Sequence, residues 1–328
     1  MYALYFVQFK VNIGIGECIN IGGFMENYYE AINQIYNEKN NQVIIGLTGR
    51  TGAGCSTVAK ILKNQINDLE FESNDETKET LKEKKEFEII KEYINDRWVP
   101  FEVIEVSCVI LSYVFEFHKD GKNGVDSFIE YMKVLQNDKN TTEFKIDNFN
   151  ELEKEIQGAS YIFEKVEKNP LYSVKDWDEH SDKEIETYYQ LYIKDMVKYK
   201  NRMKRILLKY SCYEEKKNKL QDSAPVKYHL YTYLLQKIAN NIRASGEPYN
   251  DKLEQKKILD FAKRIQMMIE LIKKYKRDEK IRICIDAIRN ANESNYLKDI
   301  YRSYYLVSIS VDENMRQKRL GGLNQEEQ

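Results

Sequence analysis

The sequence has little of several residue types that mark large classes of protein. It contains 4 prolines and 3 histidines among its 328 residues. The histidines, His118, His180 and His229, lie far apart and fall in no H-x-E or H-E-x-x-H pattern, which excludes the usual histidine-based zinc motifs. No stretch is long and apolar enough to span a bilayer. We therefore expect neither a membrane-spanning protein nor a zinc enzyme.

Cysteine is also sparse. The five cysteines, Cys18, Cys55, Cys108, Cys212 and Cys284, are scattered and form no C-x-x-C pair. An odd number of isolated cysteines predicts free thiols in a reducing compartment rather than disulfides or a zinc cage. The N-terminus lacks a basic region followed by a continuous apolar core, so it does not read as a secretory signal. Together these features predict a cytoplasmic protein.

The chain also lacks a marked excess of positive or negative charge. The chain has 51 basic and 53 acidic residues, a net charge of −2. This balance argues against a nucleic-acid-binding protein that depends on bulk charge, although a local basic patch stays open. The sequence is 42% hydrophobic and 32% charged, which is typical of a globular protein with a substantial core.

Short apolar runs, typical of buried strands, alternate along the chain with segments whose apolar residues have helical spacing. Residues 41–320 are predicted to form one domain with a helical insertion at about 125–225, preceded by an extension at 1–40 and followed by a tail at 321–328. Strands separated by helices predict an α/β domain with a parallel sheet. The strand candidates are 42–49, 101–111, 280–290 and 304–313.

Helical spacing of apolar residues marks the segments between these strands. A helix is expected at 56–66, another at 234–248 that ends at Gly246, and a third at 251–276. A further helix begins where Ser181 and Glu184 match a capping box. Its apolar stripe is predicted to be core rather than a platform for stacking bases. The stripe consists of Ile185, Tyr189, Tyr192, Met196, Met203 and Leu207.

The segment "GLTGRTGAGCST" at 46–57 nearly matches the phosphate-loop pattern G-x-x-x-x-G-K-[ST]. The predicted strand before it and helix after it are the context that such a loop requires. Glycines let backbone N–H groups point at phosphate oxygens, and the start of the helix adds its positive dipole end. The hydroxyl of Ser56 or Thr57 is a candidate Mg²⁺ ligand. The candidate phosphate contacts are Gly49, Arg50, Thr51, Gly52, Ala53, Gly54, Cys55, Ser56 and Thr57.

Cys55 stands where the pattern has lysine. A thiol offers one weak donor and no positive charge, so its presence is expected to harm phosphoryl transfer more than binding. Arg50 is a candidate substitute cation, although a guanidinium is not equivalent to an ammonium. Two interpretations of Cys55 stay open: a reactive thiolate with a lowered pKa at the start of a helix, or a small residue tolerated in the loop.

A second group of candidate residues follows the later strands. Asp286 ends the apolar run "RICID", where an acidic residue can orient Mg²⁺ or, alternatively, cap a helix. Arg289 follows it, and Arg316 and Arg319 follow the last strand, where basic residues can close over phosphates as a lid. With Arg50, these four are the candidate catalytic residues.

The loop segment "IGLTGRTGAGCSTVAKIL" resembles the opening of the nucleotide kinases and dephospho-coenzyme A kinases. The later segments "LLQKIANNIRASGE" and "IRICIDAIRNANESNYLKDIYRSYYLVSISVDENMRQKRL" are similar to the kinase-like N-terminal domain of the deoxycytidylate deaminases of bacterial antiviral defence. The resemblance covers roughly 43–66 and 230–320. It implies a P-loop kinase fold with a five-stranded parallel sheet, a bound nucleoside triphosphate (ATP or a dNTP) and Mg²⁺ held near Ser56 and Asp286.

Besides the replacement of lysine by Cys55, the chain departs from the deoxycytidylate deaminases in a second respect. It contains no H-x-E and no P-C-x-x-C, which a zinc deaminase needs. We expect half of a split system, working with a separately encoded deaminase or as a homo-oligomer, or else a truncated product. Three functions stay open: a nucleotide sensor or regulatory domain, an active kinase that uses Arg50, and an interaction protein with a vestigial loop.

Overall fold

A computed structural model describes residues 41–69, 81–118, 121–137, 142–216, 226–277 and 280–320. At 81, 83, 137, 142–144, 213–216, 226–228 and 318–320 it describes the backbone alone. The predicted extension at 1–40 and tail at 321–328 lie outside the described residues.

Strands and helices alternate at the two ends of the described chain, and helices dominate its middle. The strands are β1 (Gln42–Thr48), β2 (Glu102–Glu105), β3 (Thr142–Ile146), β4 (Ser211–Lys216), β5 (Val226–His229), β6 (Ile281–Asp286) and β7 (Tyr304–Ser308). The helices are α1 (Cys55–Lys63), α2 (Leu81–Arg97), α3 (Val106–Glu116), α4 (Gly124–Asn137), α5 (Phe149–Gln157), α6 (Ser160–Glu167), α7 (Asp182–Tyr189), α8 (Met196–Leu207), α9 (Leu230–Ser245), α10 (Asp260–Lys276), α11 (Ala291–Ile300) and α12 (Glu313–Leu320).

A parallel sheet carries the N- and C-terminal parts of the domain. Its strand order is β2-β6-β1-β7, so the predicted parallel α/β sheet is confirmed with four strands among the described residues. The expected fifth strand is not among them. Because β1 lies between β6 and β7, the loop after β1 opens at the sheet edge where the ends of these neighbours also lie. In register, Leu47 pairs with Asp286, and Asp286 pairs with Glu105.

The prediction of a strand over 101–111 is wrong beyond Glu105. The chain turns there into α3, and every residue of α3 except Ser107 is buried. A helix buried on all sides is apolar all round, so its sequence shows no amphipathic period. An apolar run rich in valine and isoleucine therefore reads equally well as a buried strand.

One further helix and two further strands are shorter than predicted. The helix expected over 251–276 begins at Asp260, and the last strand ends at Ser308 rather than 313. The strand expected over 280–290 ends at Asp286. The helix expected to end at Gly246 does so, with that glycine at φ 77° as its left-handed C-cap.

The helical middle is built around α7 and α8. The predicted capping box is confirmed, because Ser181 and Glu184 exchange both of its hydrogen bonds. A π-helical segment, Gln190–Asp195, links α7 to α8, and the predicted apolar stripe is buried throughout. The tyrosines of this stripe are therefore core residues, as expected.

A small antiparallel sheet has two strands within the predicted helical insertion, and its third strand, β5, directly follows it. Its strand order is β3-β4-β5, and it was not predicted from the sequence. The pairing of β3 with β4 joins segments about 70 residues apart, so no local pattern indicates it. The insertion is thus helical with an added sheet rather than wholly helical.

A buried ion pair ties two core helices together. The guanidinium of Arg264 in α10 donates to the carboxylate of Glu116 at 2.9 Å and to the hydroxyl of Ser112 at 3.0 Å, both in α3. Tyr192 donates to the other oxygen of Glu116 at 2.7 Å. The described helices include none that is long and apolar enough to cross a membrane.

Candidate phosphate site

A cleft of about 980 Å³ opens at the carboxyl edge of the parallel sheet. Three walls enclose it: the loop after β1 with the start of α1, the first turns of α3, and one face of α9. The loop between β6 and α11 completes the rim. Most of the residues predicted to contact phosphate line this cleft, namely Arg50, Thr51, Gly52, Gly54, Cys55, Ser56 and Thr57.

Glycine is required at three positions of the loop. Gly52 and Gly54 have φ values of 82° and 107°, a backbone region that residues with a side chain rarely adopt. A Cβ on Gly49 would lie 2.5 Å from the carbonyl oxygen of Ile309. The loop is closed by a hydrogen bond from the N–H of Ala53 to the carbonyl of Arg50 at 2.9 Å. These glycines let the chain turn sharply from the end of β1 into α1.

The two candidate Mg²⁺ ligands lie together. Ser56, in the first turn of α1, and Asp286, at the end of β6, both line the cleft, and the nearby Ser56 side chain favours the ionised form of the Asp286 carboxyl group. Asp286 does not cap α11, because Asn290 is the N-cap and its side chain accepts from the N–H of Asn292 at 2.8 Å. The alternative role of Asp286 as a helix cap is thereby removed.

The groups around Asp286 have opposing effects on the pKa of its carboxyl group. Burial raises the pKa of its carboxyl group, and the charge of Glu105 raises it further, while Ser56, Arg289 and Lys200 act to lower it. A bound cation would favour the ionised form.

A second carboxylate and a lysine, neither predicted from the sequence, lie beside this pair. Glu105 ends β2 directly next to Asp286 and forms an ion pair with Lys200 of α8. Both side chains are largely buried, 14% exposed for Lys200 and 24% for Glu105. Glu105 has no clear sequence signal, because the apolar run continues to Leu111 and does not show that the strand ends at Glu105. Lys200 has none, because it sits in a charged helix of the insertion.

Cys55 faces the interior as well as the cleft. Its side chain packs against the apolar cluster of Leu47, Ala59 and Cys284. Burial raises the pKa of the Cys55 thiol, and the charge of Asp286 adds to this, whereas Arg289 opposes it. Burial and the neighbouring carboxylate of Asp286 thus favour the neutral thiol, against the interpretation of Cys55 as a thiolate with a lowered pKa. The thiol serves as a small, neutral packing residue.

The predicted arginines meet the loop in different ways. Arg316 is buried and donates to Glu313 at 2.6 Å and to the carbonyl of Thr51 at 3.4 Å. Its guanidinium therefore contacts the backbone of the loop, and Arg316 is not among the residues that line the cleft. Arg289 donates to the hydroxyl of Thr51 at 3.2 Å and lines the cleft. Arg50 is 72% exposed and pairs with Glu313 at 3.3 Å.

The remaining predicted arginine, Arg319, lies in α12, but its side chain is outside the described part of the structure. Arg243, near the end of α9, lines the cleft and donates to the buried Glu293 at 2.6 Å. Its guanidinium is therefore held at the wall of the cleft by a buried carboxylate.

The described residues include no cluster of three or more histidine, cysteine or acidic side chains that could hold a metal on its own. The Ser56–Asp286 pair nevertheless suits Mg²⁺, which is commonly bound by one or two protein oxygens together with phosphate oxygens and water. Comparison of the chain with protein-family models, with curated proteins and with solved structures finds no match.

Proposed function

We propose that the protein binds a nucleoside triphosphate in this cleft, and that it acts as a nucleotide sensor or regulatory domain. The observation that carries the proposal is the contact between Ser56 and Asp286 at the start of α1. It joins the last part of a glycine loop to the end of a neighbouring strand. This arrangement suits Mg²⁺ and phosphate, and the sequence resemblance to nucleotide kinases supports the same ligand.

The groups around the cleft contribute to binding in different ways. Backbone N–H groups of the loop and of the first turn of α1 face a polyphosphate chain, where the helix dipole favours negative charge. Arg289 adds a positive charge at the rim, next to Thr51. Ser56 and Asp286 hold and orient Mg²⁺, which neutralises phosphate charge when it is bound.

The charges of the loop favour a sensor over a kinase. Phosphoryl transfer depends on cations placed against the transferred group. Cys55 contributes no charge, and its pKa is raised. Arg50, the candidate replacement, is directed to Glu313. Binding needs only the backbone of the loop, the helix start and a place for Mg²⁺, and the loop, the start of α1 and the Ser56–Asp286 pair suit these roles.

Isothermal titration with ATP, dCTP and dCMP, with and without Mg²⁺, tests the proposal. We expect triphosphates to bind and Mg²⁺ to strengthen their binding. Gly54→Val should abolish binding, because Gly54 has a φ of 107° that valine cannot adopt without strain. Gly158→Ala is the matched control, since Gly158 has a φ of −64° at a helix end outside the cleft. Absence of binding for every nucleotide would overturn the proposal.

Kinase activity is the second candidate, favoured by the place of Arg50 in the cleft wall. An exposed arginine whose partner is a surface carboxylate can exchange that partner for a phosphate. Transfer of the γ-phosphate of ATP to a panel of nucleotides and nucleosides measures it. Phosphate transfer by the unaltered protein that is lost in Arg50→Ala would establish kinase activity. Absence of transfer to every acceptor of the panel would rule it out.

A further inference from the structure

Helix α9 presents two adjacent stripes to the cleft. One stripe is apolar and consists of Tyr231, Leu235 and Ala239, and the other is polar and consists of Thr232, Gln236 and Asn240. Members of each stripe are four residues apart, so each stripe runs along one side of the helix. The helix therefore offers a surface for packing and a row of hydrogen-bonding groups to the same space.

The polar stripe has no hydrogen bonds to the rest of the described protein. Within the described ranges, the side chains of Thr232, Gln236 and Asn240 make none, although their neighbours do. Asn241, one residue on, donates to the hydroxyl of Tyr131 at 3.1 Å and to the carbonyl of Pro248 at 2.9 Å. The buried amide of Asn241 is thus satisfied within the fold, whereas Gln236 and Asn240 are exposed residues that line the cleft.

The cleft is larger than a polyphosphate alone requires. At about 980 Å³ it lies at the upper end of the range of roughly 300–1,000 Å³ typical of small-molecule sites. Beyond the loop it continues between α9 and the first turns of α3, where Val106 and Ile110 add apolar surface. The space away from the phosphates is therefore partly apolar and bordered by amides.

We propose that this face of α9 is a nucleobase subsite, in which Gln236 and Asn240 hydrogen-bond to the edge of the base. Tyr231, Leu235 and Ile110 cover the faces of its ring. The inference rests on the proposed function, since it assigns the base of the nucleotide whose phosphates lie at the loop. It makes Gln236 and Asn240 the residues that determine specificity.

The chemistry of the stripe fits a base better than a sugar phosphate or a flexible acyl chain. A carboxamide places a donor and an acceptor side by side, and the edges of the bases carry the matching adjacent groups. A planar ring also uses an aromatic and aliphatic wall through stacking. A second phosphate would instead need cations here, and Arg243, which lies in this wall, is paired with Glu293.

Equilibrium binding of inorganic tripolyphosphate and of the four deoxynucleoside triphosphates, all with Mg²⁺, tests the subsite. We expect the protein to prefer one base by at least about tenfold over the weakest of the four. Gln236→Leu and Asn240→Leu should each weaken the preferred nucleotide by about tenfold and reduce the preference. Their affinity for tripolyphosphate should stay as in the unaltered protein, which also shows that the variants fold.

Gln157→Leu is the matched control, because Gln157 is exposed in α5 and does not line the cleft. Four nucleotides that bind within about threefold of one another, or variants that bind them unchanged, would overturn the subsite while leaving phosphate binding intact. If neither tripolyphosphate nor any nucleotide binds, the proposed function itself fails and this subsite fails with it.

Discussion

Ser56 lies beside Asp286 at the cleft, and this contact joins the two halves of the candidate site. The residues are far apart in the sequence, and the pairing of β1 with β6 brings them together. The glycine loop depends on residues next to one another in the chain. The proposed Mg²⁺ position depends on the order of strands in the sheet.

Replacing Asp286 with asparagine should remove the effect of Mg²⁺ on nucleotide binding. The amide keeps the volume and can still bond to Ser56, but it carries no charge to attract the cation. We expect the gain in ATP affinity on adding Mg²⁺ to fall by roughly tenfold or more. Titration of ATP with Mg²⁺ and with EDTA measures it. Asp299→Asn, on the exposed face of α11, serves as control, and an unchanged Mg²⁺ effect in Asp286→Asn would remove this carboxylate from the site.

Adding a methyl group to Gly49 should destabilise the fold. The new Cβ would lie 2.5 Å from the carbonyl oxygen of Ile309, so backbone must shift. Overpacking of this kind costs about 1–3 kcal/mol of the free energy of unfolding. Urea unfolding of Gly49→Ala measures the loss. Gly158→Ala is the control, since its Cβ would meet nothing closer than 3.4 Å, and equal stability of both variants would contradict the close approach at Gly49.

Glu102 should contribute stability that depends on pH. Burial acts to raise the pKa of its carboxyl group, but Lys194, Tyr189 and Lys276 outweigh burial and hold that pKa below its ordinary value of 4.5. A lowered pKa in the folded state means that the contribution is complete above pH 4.5 and is lost as the pH falls through the folded value.

The variant Glu102→Gln isolates this contribution. We expect it to lower the free energy of unfolding by about 1.5–3 kcal/mol at pH 7, with a smaller difference from the unaltered protein below pH 4.5. Urea unfolding at pH 7 and pH 3.5 gives both values. Glu88→Gln, at an exposed position of α2, should show little change at either pH. A difference for Glu102→Gln that grows as the pH falls would show that the sign is wrong.

Restoring a lysine at position 55 should strengthen binding of triphosphates. The Cys55→Lys variant adds an ammonium at the start of α1, and its methylene stem can pack against the apolar cluster that the thiol now contacts. A charge-assisted hydrogen bond contributes about 1.5–3 kcal/mol, which is a gain of roughly tenfold or more. Titration with ATP measures it, and Cys55→Ala separates charge from volume. Equal affinities of the lysine and alanine variants would place position 55 out of reach of the phosphates.

Features that depend on neighbouring residues could be predicted from the sequence. The glycine loop between strand and helix, the capping box of Ser181 and Glu184, and the glycine that ends α9 all follow from local spacing and backbone preference. The period of 3.6 residues likewise identified the buried stripe of α7 and α8. In each case the signal lies within the same continuous segment as the structure that it specifies.

Features that depend on distant segments were decided only by the tertiary structure. A buried run such as α3 has no period to separate helix from strand, and the β3–β4 pairing leaves no local trace. Lys200 reaches Glu105 because α8 packs against α3, next to the end of β2. The sequence by itself determined the loop and the strand that ends in Asp286. The fold decided which side chains meet there, because strand order and helix packing are set by the whole core rather than by any one segment.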